Sequence, residues 1–100
     1  MILENRKLIT IIAEAALEND LVREIERLGA RGYTVTDARG KGARGVRNAG
    51  WEHSANVRIE VVCTTKTAHD IAAVLKERYY ADYAMILFFG DVEVSRPEKF

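Results

Sequence analysis

Four stretches of the chain have the apolar pattern that is typical of β-strands. Residues 7–15 (KLITIIAEA) are almost continuously apolar and rich in β-branched side chains, which indicates a central strand. Residues 33–38 (YTVTDA) and 56–63 (NVRIEVVC) alternate between apolar and polar positions, as half-buried strands do. Residues 83–89 (YAMILFF) form the fourth predicted strand, which Gly90 and Asp91 interrupt before 92–94 continues it.

Two further stretches have apolar residues at the spacing of an amphipathic helix. In residues 17–30 the apolar positions are Leu17, Leu21, Ile25 and Leu28, with charged residues between them. We expect Asn19 to be the N-cap of this helix and Gly29 to end it. In the second helix, through residues 68–79, Thr67 and Asp70 resemble a capping box at the start.

The order of these elements is βαββαβ, two half-repeats of strand, helix and strand. Right-handed crossovers fold such a chain into a ferredoxin-like α+β sandwich, a four-stranded antiparallel sheet with two helices on one face. The connection between the second and third strands spans about 17 residues, which is far longer than a normal hairpin turn. We expect one domain over residues 1–100 with a functional loop at this connection.

Composition narrows the function classes without selecting one. The formal net charge of +0 provides no overall attraction to nucleic acid or to an anionic membrane. The first 15 residues lack a basic region followed by a long apolar stretch, so we expect a cytoplasmic protein. The lone Cys63 is expected to be a buried strand residue.

Residues 39–50 (RGKGARGVRNAG) concentrate the candidate chemistry of the chain. They contain four glycines and four cations, Arg39, Lys41, Arg44 and Arg47, and no carboxylate. Glycines let backbone N–H groups approach an anion, and guanidinium groups bind phosphate oxygens through paired hydrogen bonds. The string is not a GxxxxGK[ST] phosphate loop and no helix pattern follows it, so it favours phosphate binding over phosphoryl transfer.

Other interpretations of this loop stay open from the residues alone. A solvated hairpin tip would have the same charges, and contact with an RNA backbone is a further possibility despite the absence of a row of strand aromatics. The fold also occurs in acylphosphatases, although their anion-binding loop with an arginine would follow the first strand, where this chain has EAALEND. Trp51 beside the loop either contacts a partner, acts as a lid, or packs on the sheet.

We predict no metal site and no catalytic residues, because neither His53 nor His69 has ligand-type or triad-type neighbours at motif spacing.

The sequence resembles a known family over most of its length. The string GYTVTDARGKG (32–42), after the helix end LVREIERLGARG, looks like the PII signalling proteins, in which such a strand leads into a long glycine-rich T-loop. The strings GKGARGVR (40–47) and DYAMI (82–86) are similar to those of the PII-like SbtB proteins in particular. The modifiable tyrosine and the RxR pair of familiar PII proteins have no counterpart here. A serine and a glycine of the SbtB pattern are replaced by Ala43 and Met85.

This resemblance implies a non-enzymatic homotrimer that binds adenine nucleotides (cAMP, AMP, ADP, ATP) as effectors in clefts between subunits, without a prosthetic group or nucleic acid. It implies a T-loop at about residues 39–55. From the sequence itself, Pro97 ends the ordered structure, and we expect the short tail at 95–100 to be edge-like or frayed. The implied nucleotide-binding residues are Gly32, Thr34, Lys41, Gly42, Arg44, Arg47, Ile59 and Met85, and the implied partner-binding residues of the T-loop are Val46, Asn48 and Trp51.

The resemblance also implies a role for each of these nucleotide-binding residues. Arg44 and Arg47 would bind phosphate, with Lys41 and Gly42 lining the phosphate end. Gly32 and Thr34 would lie near the adenine of an adjoining site, Ile59 would pack on the base, and the backbone of Met85 would hydrogen-bond its edge. The implied partner is a sodium-dependent bicarbonate transporter at the inner face of the cell membrane, which makes inorganic carbon uptake the regulated process. A carboxysome-associated or carbonic-anhydrase-associated PII-like protein that senses ADP or AMP and bicarbonate is the alternative.

Overall fold

The computed structural model describes residues 1–42, 45–46 and 55–100, and for residues 41, 42, 45 and 46 it describes the backbone. The elements along the chain are β1 (Glu4–Glu14), α1 (Glu18–Arg27), β2 (Thr34–Ala38), β3 (Lys41–Gly42), β4 (Gly45–Val46), β5 (Asn56–Cys63), α2 (Thr65–Tyr79) and β6 (Ile86–Val94). Short 3-10 turns follow β1 at Ala15–Leu17 and β6 at Pro97–Lys99.

Four of the strands form one antiparallel sheet in the order β2-β5-β1-β6. The longest strand, β1, pairs with β5 on one side and with β6 on the other, so that Ile11 lies opposite both Ile59 and Leu87. β3 and β4 form a separate small hairpin after β2. The predicted βαββαβ order and the ferredoxin-like sheet are therefore confirmed.

The hydrophobic core lies between one face of this sheet and both helices. Because side chains alternate along a strand, the odd-numbered residues of β1 and β5 share the inner face. The core cluster consists of Ile9, Ile11, Ala13, Val57, Ile59, Val61 and Cys63 of the sheet, packed with residues of the helices that include Leu21, Ile25, Ala68, Ile71 and Leu75. Cys63 is buried as predicted, and burial raises the pKa of its thiol.

The opposite face of the sheet, which we call the open face, carries the even-numbered residues of β1, β5 and β6. Within it Ile86 and Phe88 lie opposite Ile12 and Thr10 of β1. The side chains of Ile86 and Phe88 are 46% and 48% exposed, although both are large and apolar. One chain thus leaves an apolar part of its sheet in contact with water.

The helix boundaries confirm one sequence prediction and correct two. Gly29 ends α1 with φ +114°, a conformation that side chains rarely adopt. The N-cap of α1 is Leu17 and not Asn19, because the chain turns through a 3-10 segment in which Leu17 is buried. The cap of α2 is Thr64 and not Thr67: the Thr64 hydroxyl accepts a 3.2 Å hydrogen bond from the Thr67 N–H.

The ends of the strands also differ from the sequence pattern. β1 begins at Glu4, three residues before the predicted start, and is paired with β6 throughout that extension. β6 begins at Ile86 and runs without interruption through Gly90, which pairs with Leu8. Gly90 is therefore a strand residue, because its pairing with Leu8 outweighs the low strand propensity of glycine.

Candidate functional site

The predicted adenine-side residues lie at one edge of the sheet, where β2 begins. Thr34 is the first residue of β2 and is exposed, and Gly32 two residues earlier is exposed as well. Space around Gly32 is open, because an added Cβ would meet no atom within 4 Å. A ligand can therefore approach this segment of backbone directly.

The predicted phosphate-side residues follow β2 along the same edge. Lys41 pairs with Val46 and Gly42 pairs with Gly45, so that the long connection begins as a narrow β-hairpin. Arg39, which leads into the hairpin, is exposed. The predictions for Arg44, Arg47, Asn48 and Trp51 concern positions outside the described residues and remain predictions.

Ile59 does not fit the role that the resemblance implied. Its side chain is 0% exposed and lies in the core, between Ile11 of β1 and Val35 of β2 on the inner face of the sheet. A base could pack on Ile59 only by displacing its core neighbours. We therefore correct this prediction and treat Ile59 as a core residue.

Met85 lies at the other edge of the sheet, immediately before β6, and is only 6% exposed. Two strands, β5 and β1, separate β2 from β6. With an interstrand spacing of about 4.8 Å, the two edges are roughly 14 Å apart, which exceeds the width of a purine base. One copy of the chain therefore does not place Thr34 and Met85 against the same base.

Two charged side chains of β5, the strand next to β2, form an ion pair with each other. On β5 the Arg58 guanidinium donates to the Glu60 carboxylate at 2.9 Å, and these residues lie opposite Thr36 and Thr34 of β2. Both side chains of the pair are partly exposed on the open face. They flank the candidate segment but are occupied with each other.

Arg31 is a site-adjacent residue that the sequence pattern did not single out. Its guanidinium donates a 2.9 Å hydrogen bond to the backbone carbonyl of Glu98, 67 positions further along the chain. Arg31 directly precedes Gly32, so this contact lies at the start of the candidate segment. Only the sequence string LGARG marks the position, and that string indicates a helix end and not a long-range contact.

The most enclosed carboxylate of the described residues serves the packing of the two helices. Glu24 of α1 accepts hydrogen bonds from Arg27 on the same helix and, at 3.1 Å, from Arg78 of α2. The hydrogen bond from Arg27 holds the pKa of Glu24 below its ordinary value, and burial opposes this shift. A carboxylate held ionised between two guanidinium groups joins helices, and it does not act as a proton donor near neutral pH.

Within residues 1–42, 45–46 and 55–100, no group of three or more His, Cys, Asp or Glu side chains could hold a metal ion. None of the helices in these ranges is both long and apolar enough to cross a membrane.

The architecture defines the class of protein: a ferredoxin-like sandwich with a glycine-rich hairpin inserted after the second strand of the sheet. Residues 6–99 match the family model described as nitrogen regulatory protein P-II, and the chain therefore belongs to this family. The family prediction made from the sequence strings is confirmed, whereas the SbtB subtype stays a prediction.

Solved structures support the same fold. A putative PII-like signaling protein from Thermus thermophilus is 46% identical, with a TM-score of 0.85 over 100% of this chain and 99% of that chain. CPII from Thiomonas intermedia K12, bound to ADP, AMP and acetate, is 24% identical, with a TM-score of 0.87 over 100% of this chain and 98% of that chain. A further CPII structure, bound to ADP, AMP and bicarbonate, has a TM-score of 0.88 at 24% identity over 99% of this chain and 96% of that chain. The chain is therefore a PII-like protein.

Proposed function

We propose that this protein is a non-enzymatic PII-like regulator that assembles as a homotrimer and binds adenine nucleotides in the clefts between subunits. In each cleft one subunit contributes Gly32, Thr34 and the cations Lys41, Arg44 and Arg47 of the glycine-rich loop. Its neighbour contributes the backbone at Met85. Nucleotide binding orders the T-loop in one conformation and thereby changes how the loop docks on a partner.

The observation that carries this proposal is the separation of the two candidate half-sites. Thr34 and Met85 lie at opposite edges of a four-stranded sheet, in the order β2-β5-β1-β6. A cleft between two copies brings the β2 edge of one sheet towards the β6 edge of the next, and this arrangement unites the half-sites. A closed ring of such contacts is the expected form of a cyclic homo-oligomer.

The open face supports assembly independently of the ligand. Ile86 and Phe88 remain 46% and 48% exposed there in a single copy. Large apolar side chains exposed on one sheet face gain free energy when another protein surface covers them. A trimer that turns its open faces inward would bury both side chains.

The nucleotide class is proposed from the likeness to CPII. Structures of that protein contain ADP with AMP or bicarbonate, and the sequence strings of this chain resemble those of SbtB proteins. We propose AMP, ADP, ATP and cAMP as ligands and a sodium-dependent bicarbonate transporter as the partner. The second candidate function is the sensing of ADP or AMP together with bicarbonate, and the ligand sets of the CPII structures favour it.

Isothermal titration calorimetry with each nucleotide, with and without bicarbonate, tests the proposal. We expect micromolar binding by at least one adenine nucleotide at one site per subunit. Arg44→Ala and Arg47→Ala should each weaken it about tenfold to a hundredfold, because a hydrogen bond to a charged group contributes roughly 1.5–3 kcal/mol. Thr34→Trp should block binding by filling the β2 edge.

Matched controls separate these effects from general damage. Arg23→Ala removes an exposed guanidinium that pairs with Asp20 on α1, and it should leave the affinity unchanged. Thr65→Trp places the same bulk at an exposed position of α2. Absence of binding by every nucleotide, or steady release of phosphate from ATP or acetyl phosphate, would contradict the proposed function.

A further inference from the structure

Residues 95–100, which we call the strap, are hydrogen-bonded to β1 and to the segment before β2. Residues 95–100 follow β6 at one edge, and the carbonyl of Pro97 accepts a 3.2 Å hydrogen bond from Arg6 of the central strand β1. The next carbonyl, that of Glu98, accepts the 2.9 Å hydrogen bond from Arg31, which directly precedes Gly32 and β2. The strap thus connects the β6 edge to the start of the β2 edge.

The strap has internal order of its own. Its backbone forms a 3-10 turn in which the N–H of Lys99 donates to Arg96 at 3.0 Å and that of Phe100 donates to Pro97 at 3.1 Å. Pro97 and Phe100 are half-buried, and Val94 just before the strap is 8% exposed. The tail is therefore a docked segment, and not the frayed end that its composition suggests.

Docking of the strap has an unfavourable term as well as favourable ones. The Arg6 guanidinium donates through both terminal nitrogens, yet its Nε–H is buried without a partner among the described residues. A buried unpaired donor costs free energy, and it offsets part of what the two arginine–carbonyl bonds contribute. The hydrogen bond from Arg31 is exposed and that from Arg6 is part-buried, so the docking equilibrium of this surface segment is one that a ligand can shift.

We propose that the strap positions the nucleotide site through Arg31, an inference that rests on the proposed function. When Glu98 holds the Arg31 side chain, the backbone that leads into Gly32 and Thr34 is fixed in the conformation that receives the base. Arg31 is thus a positioning residue, which acts through Gly32 and Thr34 without a required contact to the ligand. By thermodynamic reciprocity, nucleotide binding must stabilise the docked strap by the same factor as the strap stabilises binding.

The test compares four forms of the protein: wild type, Arg31→Ala, a chain that ends at Ser95, and the two changes combined. Calorimetry with ADP and with AMP should show a loss of about tenfold for either single change, a size typical of coupling between sites. The combined form should lose no more than the truncated chain alone, because the truncation already removes the Arg31–Glu98 contact. Additive losses, or unchanged affinity in Arg31→Ala, would overturn the proposal.

The matched control depends on which oxygen of Glu98 accepts the hydrogen bond from Arg31. Arg31 bonds to the backbone carbonyl of Glu98 and not to its carboxylate, so Glu98→Ala retains the contact. This variant should keep wild-type affinity, whereas a loss equal to that of Arg31→Ala would mean that the side chain of Glu98 acts at the site. Light scattering should give one oligomeric state for all forms, which separates a change in positioning from a change in assembly.

A second readout distinguishes positioning from general stability. Saturating ADP should slow amide hydrogen exchange at Lys99 and Phe100 of the wild type, and it should not do so in Arg31→Ala. Equal exchange with and without bound ADP in the wild type would refute the coupling while leaving the proposed function intact. Failure of the wild type to bind any nucleotide would refute both.

Discussion

Substituting Ile59 by valine tests whether this residue belongs to the core or to the ligand site. The Ile59 side chain is 0% exposed, so the lost methylene group comes entirely from buried surface. Burial of one methylene contributes about 0.8 kcal/mol, and the small cavity that remains adds to the cost, so we expect a loss of about 1 to 1.5 kcal/mol. For a chain of this length, about 1 kcal/mol lowers the Tm by roughly 4–8 °C.

Urea denaturation followed by circular dichroism measures this loss as a shift in midpoint at constant slope. The matched control is Ile2→Val, since Ile2 is 85% exposed and the same chemical change there should alter stability by less than about 0.5 kcal/mol. Nucleotide affinity of Ile59→Val at 25 °C should equal that of the wild type. A tenfold loss of affinity with unchanged stability would refute the placement of Ile59 in the core and restore it to the site.

Three further predictions concern the framework that holds the site. Gly29→Ala should destabilise the protein by about 1–3 kcal/mol, because φ is +114° there, whereas Gly40→Ala should not. Thr64→Ala should cost about 1 kcal/mol through loss of the α2 cap, with Thr65→Ala as the control. The pKa of Glu24 is lowered from 4.5, so the stability that its ionised form contributes is present above that pH and is lost as the pH falls through the lowered value. As the pH drops below about 4.5, the Tm of the wild type should therefore fall more steeply than the Tm of Glu24→Gln. Parallel curves of Tm against pH would contradict a stabilising role of the ionised Glu24.

The sequence pattern was sufficient for the fold because each sheet strand shows either an apolar run or an alternation of apolar and polar residues. The alternation in residues 56–63 places Val57, Ile59 and Val61 on one face, and the structure buries all three. The errors arise where tertiary contacts outweigh local preference. Burial of Leu17 in the turn after β1 moves the start of α1 away from Asn19, and pairing with Leu8 carries β6 through Gly90.

The site was less predictable than the fold for a physical reason. The family resemblance alone implied Gly32 and Thr34 as site residues, and the distance between the β2 and β6 edges depends on strand order and not on local pattern. The contact between Arg31 and the carbonyl of Glu98 joins positions 67 residues apart, and no sequence signal marks a backbone acceptor. The resemblance implied Ile59 by position alone, whereas the alternation of residues 56–63 places it on the apolar face, and the structure buries it there.

A crystal structure of the protein soaked or co-crystallised with ADP would show whether the nucleotide binds between subunits. We predict that each ADP lies between two copies, with Gly32 and Thr34 of one copy and the backbone at Met85 of the next within contact of the same base. An ADP molecule bound wholly by one copy, or bound away from both sheet edges, would contradict it.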